Sequence, residues 1–171
     1  EDNFQIVFID TPGVLTPKYE LHRYMISEIA SSFEEADVLL QIVDAAAKDP
    51  VEDIRFVRDF FGENLAGKPL VLALNKCDLL PRANLLPLTG KIADEFKFNE
   101  IVPVSAAKGE NTDRLKKVLV SFLPDGEFFY EEDTLTDKPE KFFAAEIIRD
   151  KILSQYHDEI PYSVFVHIQE F

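Results

Sequence analysis

No stretch of this 171-residue sequence approaches the ~20 consecutive apolar residues that a membrane-spanning helix needs. No secretory leader pattern is visible at its start. Cys77 has no second cysteine to pair with, so an internal disulfide is excluded, and the usage fits a reducing, cytosolic compartment. Positive charge is scarce: 18 Lys and Arg stand against 32 Asp and Glu, a net charge of −14. A broad nonspecific nucleic-acid surface needs clustered Lys and Arg, so this balance argues against one, though not against a small RNA-reading patch. Internal repeats and low-complexity segments are absent. Residue 1 is Glu rather than Met, which reads as a processed form or a fragment. The rest of the composition is that of an ordinary soluble protein, 46% hydrophobic and 29% charged, with length for one domain or one and part of a second.

Four short apolar runs are present: Phe4–Ile9, Val38–Val43, Pro69–Leu74 and Ile101–Val104. Each is nearly unbroken by polar residues, which suits strands buried on both faces of a parallel sheet. Segments with helical spacing lie between and after them. Leu21–Glu35 carries Leu21, Met25, Ile29 and Phe33, and Val51–Phe61 places Val51, Ile54, Val57 and Phe61 on one stripe. Leu85–Phe96 is a weaker helix, interrupted by Pro87 and Gly90; Asn111–Leu123 opens on Asn111 as a cap. Alternating strand and helix predict an α/β domain with a mostly parallel sheet. After Pro124 the chain turns acidic and aromatic and reads as a linker. Glu140–Tyr156 then has a helix pattern and Tyr162–Ile168 alternates like a strand. One helix and one strand cannot build a core, so they read as the opening of a second domain.

Three strings after the apolar runs carry chemistry. Asp10-Thr11-Pro12-Gly13 offers a carboxylate where a nucleotide switch holds Mg²⁺, and a glycine whose amide can approach a terminal phosphate; the same residues also make a common turn. Asn75-Lys76-Cys77-Asp78 suits guanine. An ionised Asp78 accepts two N–H bonds from the base edge, a pair adenine does not offer, and such sites discriminate by ~10⁴-fold. The Lys76 stem can cover the base and Asn75 can tie neighbouring loops. Ser105-Ala106-Ala107-Lys108-Gly109 has small residues that let backbone approach a ligand, so the Ala106 amide can donate to guanine O6; a plain loop before a helix is the alternative.

In the order DxxG, NKxD, SAK, from Phe4 to Leu123, the chain resembles translation-factor-type GTPases. The segments Phe122-Leu123-Pro124-Asp125-Gly126, Tyr130-Glu131-Glu132-Asp133, Leu135-Thr136-Asp137, Ala144-Ala145-Glu146-Ile147-Ile148-Arg149 and Pro161-Tyr162-Ser163-Val164 are similar to the junction in the Era family, where a GTPase domain leads into a type II KH domain. The resemblance covers essentially the whole chain. It implies a P-loop-GTPase-like sheet in residues 1–124, a linker at 125–138, and the start of an α+β KH domain at 139–171. It implies GTP or GDP with Mg²⁺ as cofactors, slow GTP hydrolysis, binding to 16S rRNA, assistance to 30S subunit assembly, and peripheral association of a cytoplasmic protein with the inner membrane. Asp10, Gly13, Asn75, Lys76, Asp78, Ser105, Ala106 and Lys108 are implied as nucleotide-binding, with Asp10 an indirect Mg²⁺ partner. Like the Era group, the chain has a hydrophobic Val14, then Leu15, where many small GTPases use a water-orienting glutamine. His22 reads as a solvent-facing helix residue rather than a catalytic one.

The sequence departs from the family in having no G-x-x-x-x-G-K-[ST] string to cradle phosphates and no GXXG to clamp RNA. This chain alone is therefore expected to bind GTP weakly or not at all, without hydrolysis, and not to bind RNA by itself. The resemblance places the family's phosphate-binding strand between the Phe4–Ile9 and Val38–Val43 strands; without it, either those two strands pair directly or something else fills the slot, and exposed central edges favour self-association or lower stability. The competing functional reading is a non-catalytic, degenerate G domain serving as a ribosome-assembly or protein-interaction module.

Overall fold

Three of the four apolar runs form strands: β1 (Leu39–Asp44), β2 (Leu70–Asn75) and β3 (Glu100–Pro103). They pair in parallel in the order β1-β2-β3, with Asp44 opposite Asn75 and Leu74 opposite Pro103. The computed structural model describes residues 4–11, 13, 20–62, 65, 67–131, 134, 136, 138–156 and 164–169. It falls into two compact units, Glu1–Glu127 and Phe128–Phe171. The helices are α1 (Glu20–Glu35), α2 (Pro50–Phe61), α3 (Arg82–Glu95), α4 (Thr112–Val120) and, in the second unit, α5 (Glu140–Tyr156).

Strand periodicity sorts the core into faces. Leu72 and Leu74 of β2 pack with Val43, Val51, Ile54 and Ile92 on the α2–α3 side. The intervening Val71 and Ala73 pack with Val102, Val104 and Leu119 on the α4 side. Every residue from Leu70 to Leu74 is buried, as a strand covered by helices on both faces requires. The α/β class with a parallel sheet is therefore as expected. A third cluster joins Ile29 of α1 to Leu39, Phe61 and Leu70. Helix α2 begins as its sequence directs: Pro50 stands in the first turn, and the Asp49 carboxylate accepts the Glu52 N–H at 3.1 Å.

Four local expectations need correction. Phe4–Ile9 is not a strand; it has no ladder partner among the described residues, and Val7, Phe8 and Ile9 are exposed. Strand structure needs a second strand to exchange backbone bonds with, and the described residues place none beside this run. It does not close onto β1: among the described residues β1 pairs with β2 alone, its outer edge carries no ladder bonds, and Ile42 is 63% exposed. Val164–Ile168 likewise forms no strand, with Phe165 exposed; residues 162–163 lie outside the described ones. Helix α3 runs through Pro87 and Gly90 without a break, because Ile92 is fully buried and Leu88 packs against the same core, and that burial outweighs the missing donor. Asn111 does stand before α4, but in the left-handed region (φ 58°). Its side chain donates to the Pro103 carbonyl at 2.9 Å instead of capping the helix.

Candidate functional site

Two loops leave the C-terminal ends of β2 and β3, which parallel pairing places side by side. The first begins at Asn75, the last residue of β2. Lys76 adopts the left-handed conformation (φ 60°), and a short 3-10 turn, Cys77–Leu79, follows. The reversal is pinned from the neighbouring strand, since the Cys77 N–H donates to the Val104 carbonyl at 3.1 Å. Cys77 itself is buried, and that burial pushes its thiol pKa up. The second loop closes on itself: Ser105 and Glu110 exchange two backbone hydrogen bonds at 3.1 Å each, and the Lys108 N–H donates to Ser105 Oγ at 3.3 Å. Gly109 makes the turn at φ 70°, a conformation that favours glycine.

Side chains stitch the loops together. The Ala106 N–H donates to Asn75 Oδ1 at 3.0 Å, and Lys108 Nζ lies 3.3 Å from Asp78 Oδ2. The Asp78 side chain is only 9% exposed and Ser105 is fully buried. A hydrogen bond from the Ser105 hydroxyl, reinforced by Lys108, holds the Asp78 carboxyl below the usual carboxylate range. The pair of loops thus presents an ionised, nearly enclosed acceptor beside small residues. Asn75, Lys76, Asp78, Ser105, Ala106 and Lys108 converge on one place at the sheet's C-terminal rim.

Two details differ from expectation. The Ala106 amide, expected to be available to guanine O6, is engaged by Asn75, so a base oxygen would share or take over that N–H. Lys76 is tethered: its Nζ meets Asp44 Oδ2 at 2.6 Å. Asp44 was missed by motif reading. Its one sequence signal is an acidic residue closing an otherwise apolar run, and only the β1–β2 register sets it opposite Asn75. The Lys76 hydrogen bond, with one from the Ala46 N–H, holds the Asp44 carboxyl below the usual range.

Asp10 and Gly13 do not join this cluster. Both are exposed, and among the described residues no hydrogen bond or ion pair links them to either loop. A Cβ added at Gly13 would meet no protein atom within 4 Å. Val14 and Leu15 lie outside the described residues, as does the side chain of His22. A cleft of about 370 Å³ lies elsewhere, lined by Phe4, Asp113, Lys116, Lys117 and Val120 and by none of the motif residues.

The sequence model of the elongation factor Tu GTP binding domain matches residues 1–125. The chain belongs to that GTP-binding domain family. Its resemblance to the Era GTPases is likewise shown. It is 40% identical over 169 residues to GTPase Era of Geobacter sp. (strain M21) and 42% identical over 167 residues to GTPase Era of Geotalea uraniireducens (strain Rf4), in each case over 98% of this chain and 55% of the relative. Its fold matches Era in complex with MgGDPNP and nucleotides 1506–1542 of 16S ribosomal RNA, with TM-score 0.75 and 38% identity over 89% of this chain and 51% of that one. The chain spans about half the length of the Era relatives it matches. Mg²⁺, implied by that family, would meet Asp10 alone of the expected residues, and the described residues contain no group of three or more His, Cys, Asp or Glu able to hold a metal ion. They do not by themselves compose a Mg²⁺ site, which ordinarily draws ligands from substrate phosphates as well.

Proposed function

We propose that this chain carries the guanine-reading half of an Era-type GTPase. The observation that supports this most is the convergence of the two loops on Asp78, an enclosed carboxylate kept ionised by Ser105 and Lys108. In this reading Asp78 accepts the N1–H and N2–H bonds of guanine. The methylene stems of Lys76 and Lys108 flank the base. Asn75 holds the Ala106 amide where O6 arrives, and Ser105 fixes the orientation of Asp78. Adenine would leave the carboxylate facing no N–H pair, which is the source of discrimination. Asp10 and Gly13 are proposed to face the phosphates once the nucleotide is bound. With Val14 in place of a water-holding glutamine, water positioning falls to other groups.

The parent activity is proposed as GTP binding and hydrolysis with Mg²⁺, in a protein that binds 16S rRNA, assists 30S assembly and visits the membrane surface. The matched Era structure, which holds both MgGDPNP and rRNA, supports this reading. Residues 139–171 are proposed as the opening of its KH domain and 125–138 as the linker. These 171 residues contain no phosphate-cradling G-x-x-x-x-G-K-[ST] string, so base contacts carry most of the binding and the affinity is weak. The test is a titration of the full chain with guanosine and adenosine nucleotides followed by NMR. Weak, guanine-selective shifts at Asp78 and Ala106 are expected. Submicromolar affinity, or equal response to adenosine nucleotides, would refute the reading.

A further inference from the structure

Lys76 is the one residue of the NKCD string whose side chain leaves the two-loop cluster, and its destination is a fixed point. We propose that Asp44 is a positioning residue for base recognition, anchoring the Lys76 side chain so that its stem forms one wall of the base slot. This inference rests on the guanine-reading function proposed above. Three features carry it. Parallel register sets Asp44, the last residue of β1, directly opposite Asn75, the last residue of β2, so the carboxylate stands next to the start of the NKCD loop. Its two oxygens are divided between two donors: Oδ1 accepts the Ala46 N–H at 2.9 Å, while Oδ2 accepts Lys76 Nζ at 2.6 Å. The first bond fixes the carboxylate to its own turn, so the second holds the lysine to an anchored point rather than to a mobile partner. Lys76 also sits at φ 60°, so its backbone direction is set by the Cys77 N–H bond to Val104, and both ends of the side chain are constrained.

A structural role alone explains this poorly. The pair is half exposed, with side chains 54% and 35% accessible, and ion pairs of that exposure contribute little to folding. A lysine held at both ends has already lost the rotamer freedom that it would otherwise lose on meeting a base. Releasing it should weaken binding by about 3- to 10-fold, within the range of a lysine's rotamer entropy. Selectivity between guanine and adenine should not change, because Asp78 sets it.

The test is an NMR titration of the full chain with GDP, which reads dissociation constants into the millimolar range. The variants are Asp44→Asn, Asp44→Glu, Lys76→Met, the Asp44→Asn/Lys76→Met double variant and Asp78→Ala. The expected result is weaker GDP binding in Asp44→Asn with unchanged base selectivity, partial recovery in Asp44→Glu, and a double variant no weaker than Lys76→Met alone. A residue acting by a route other than Lys76 would not show that non-additivity, and one acting through general stability would lower the urea midpoint along with the affinity. Additive losses in the double variant would overturn the route through Lys76. Undiminished binding in Asp44→Asn, with Asp78→Ala still abolishing guanine preference, would overturn the Asp44 proposal and leave the base-reading function standing. Absence of guanine-selective binding in the unaltered chain would overturn the base-reading function, and Asp44's part in it, even where the Lys76 side-chain resonances shift in Asp44→Asn.

Discussion

Lys68 offers a sharp test of how the sheet is coupled to its helices. Helix α1 has no basic residue in its last turn, and the final carbonyls of any helix lack intrahelical partners. Lys68, in the segment leading into β2, fills that role from 32 to 35 residues away. Its Nζ donates to the carbonyls of Phe33, of Glu34 at 2.8 Å and of Ala36 at 2.6 Å. A positive charge at a helix C-terminus also meets the favourable end of the helix dipole. Lys68→Met keeps the stem and removes the ammonium. A hydrogen bond involving a charged group contributes ~1.5–3 kcal/mol net, and the three acceptors share one cation that is only half-buried. The expected loss is therefore about 2 kcal/mol, equivalent to about 4–8 °C in melting temperature for a chain of this size. Urea denaturation is the assay: the midpoint should fall while the slope stays constant. Hydrogen exchange should localise the loosening to α1 and the Ile29–Phe61–Leu70 cluster beneath it. A loss below about 0.5 kcal/mol would mean that water replaces the lysine at no cost and would refute the reasoning.

Other expectations follow from the same geometry. Asp44 and Asp78 both have folded pKa values below the unfolded carboxylate value of 3.8, so the stability they contribute is present above that value and is lost as pH falls below it through the folded value. Ser105→Ala should move the Asp78 carboxyl back up toward the ordinary range, read by carbon-detected NMR titration; an unmoved midpoint would show that Ser105 does not hold Asp78. Leu72→Ala removes a fully buried side chain from the central strand and should cost ~2–5 kcal/mol in chemical denaturation, with a loss under about 1 kcal/mol counting against the packing described. The outer edge of β1, with Ile42 exposed beside it, should drive concentration-dependent self-association in light scattering, reduced by Ile42→Lys; a strict monomer at ~100 µM would contradict that expectation.

Much of the fold was legible because the central strands carry an unambiguous signal. Leu70–Leu74 is an unbroken apolar run, and only burial on both faces explains it. Helix α2 was equally plain, since Val51, Ile54 and Phe61 repeat at helical spacing and all are buried. Phe4–Ile9 has the same kind of composition as β2 and yet forms no strand. Composition records what a segment can bury, whereas a strand also needs a neighbour to take its backbone bonds. Pro87 misled in the opposite direction, because the burial of Ile92 belongs to tertiary packing that local propensity does not register. At the site, NKCD and SAAKG were readable as strings because chemistry fixes their residue types. Asp44 was not, because its partner Lys76 lies 32 residues away and meets it only through the β1–β2 register. That Asn75 ties neighbouring loops was readable in the string, whereas its choice of the Ala106 amide as partner depends on the β2–β3 register.

The most direct test of the central claim is the base preference of Asp78→Asn. A carboxylate can only accept hydrogen bonds, so it matches the N1–H and N2–H donors of guanine; an amide brings a donor of its own and matches the C2 carbonyl of xanthine. Competition between guanosine and xanthosine nucleotides, followed by NMR on the full chain, should show preference for guanine in the unaltered protein and a reversal toward xanthine in Asp78→Asn. An Asp78→Asn protein that folds normally and keeps its preference for guanine would contradict the assignment of Asp78 as the reader of the base.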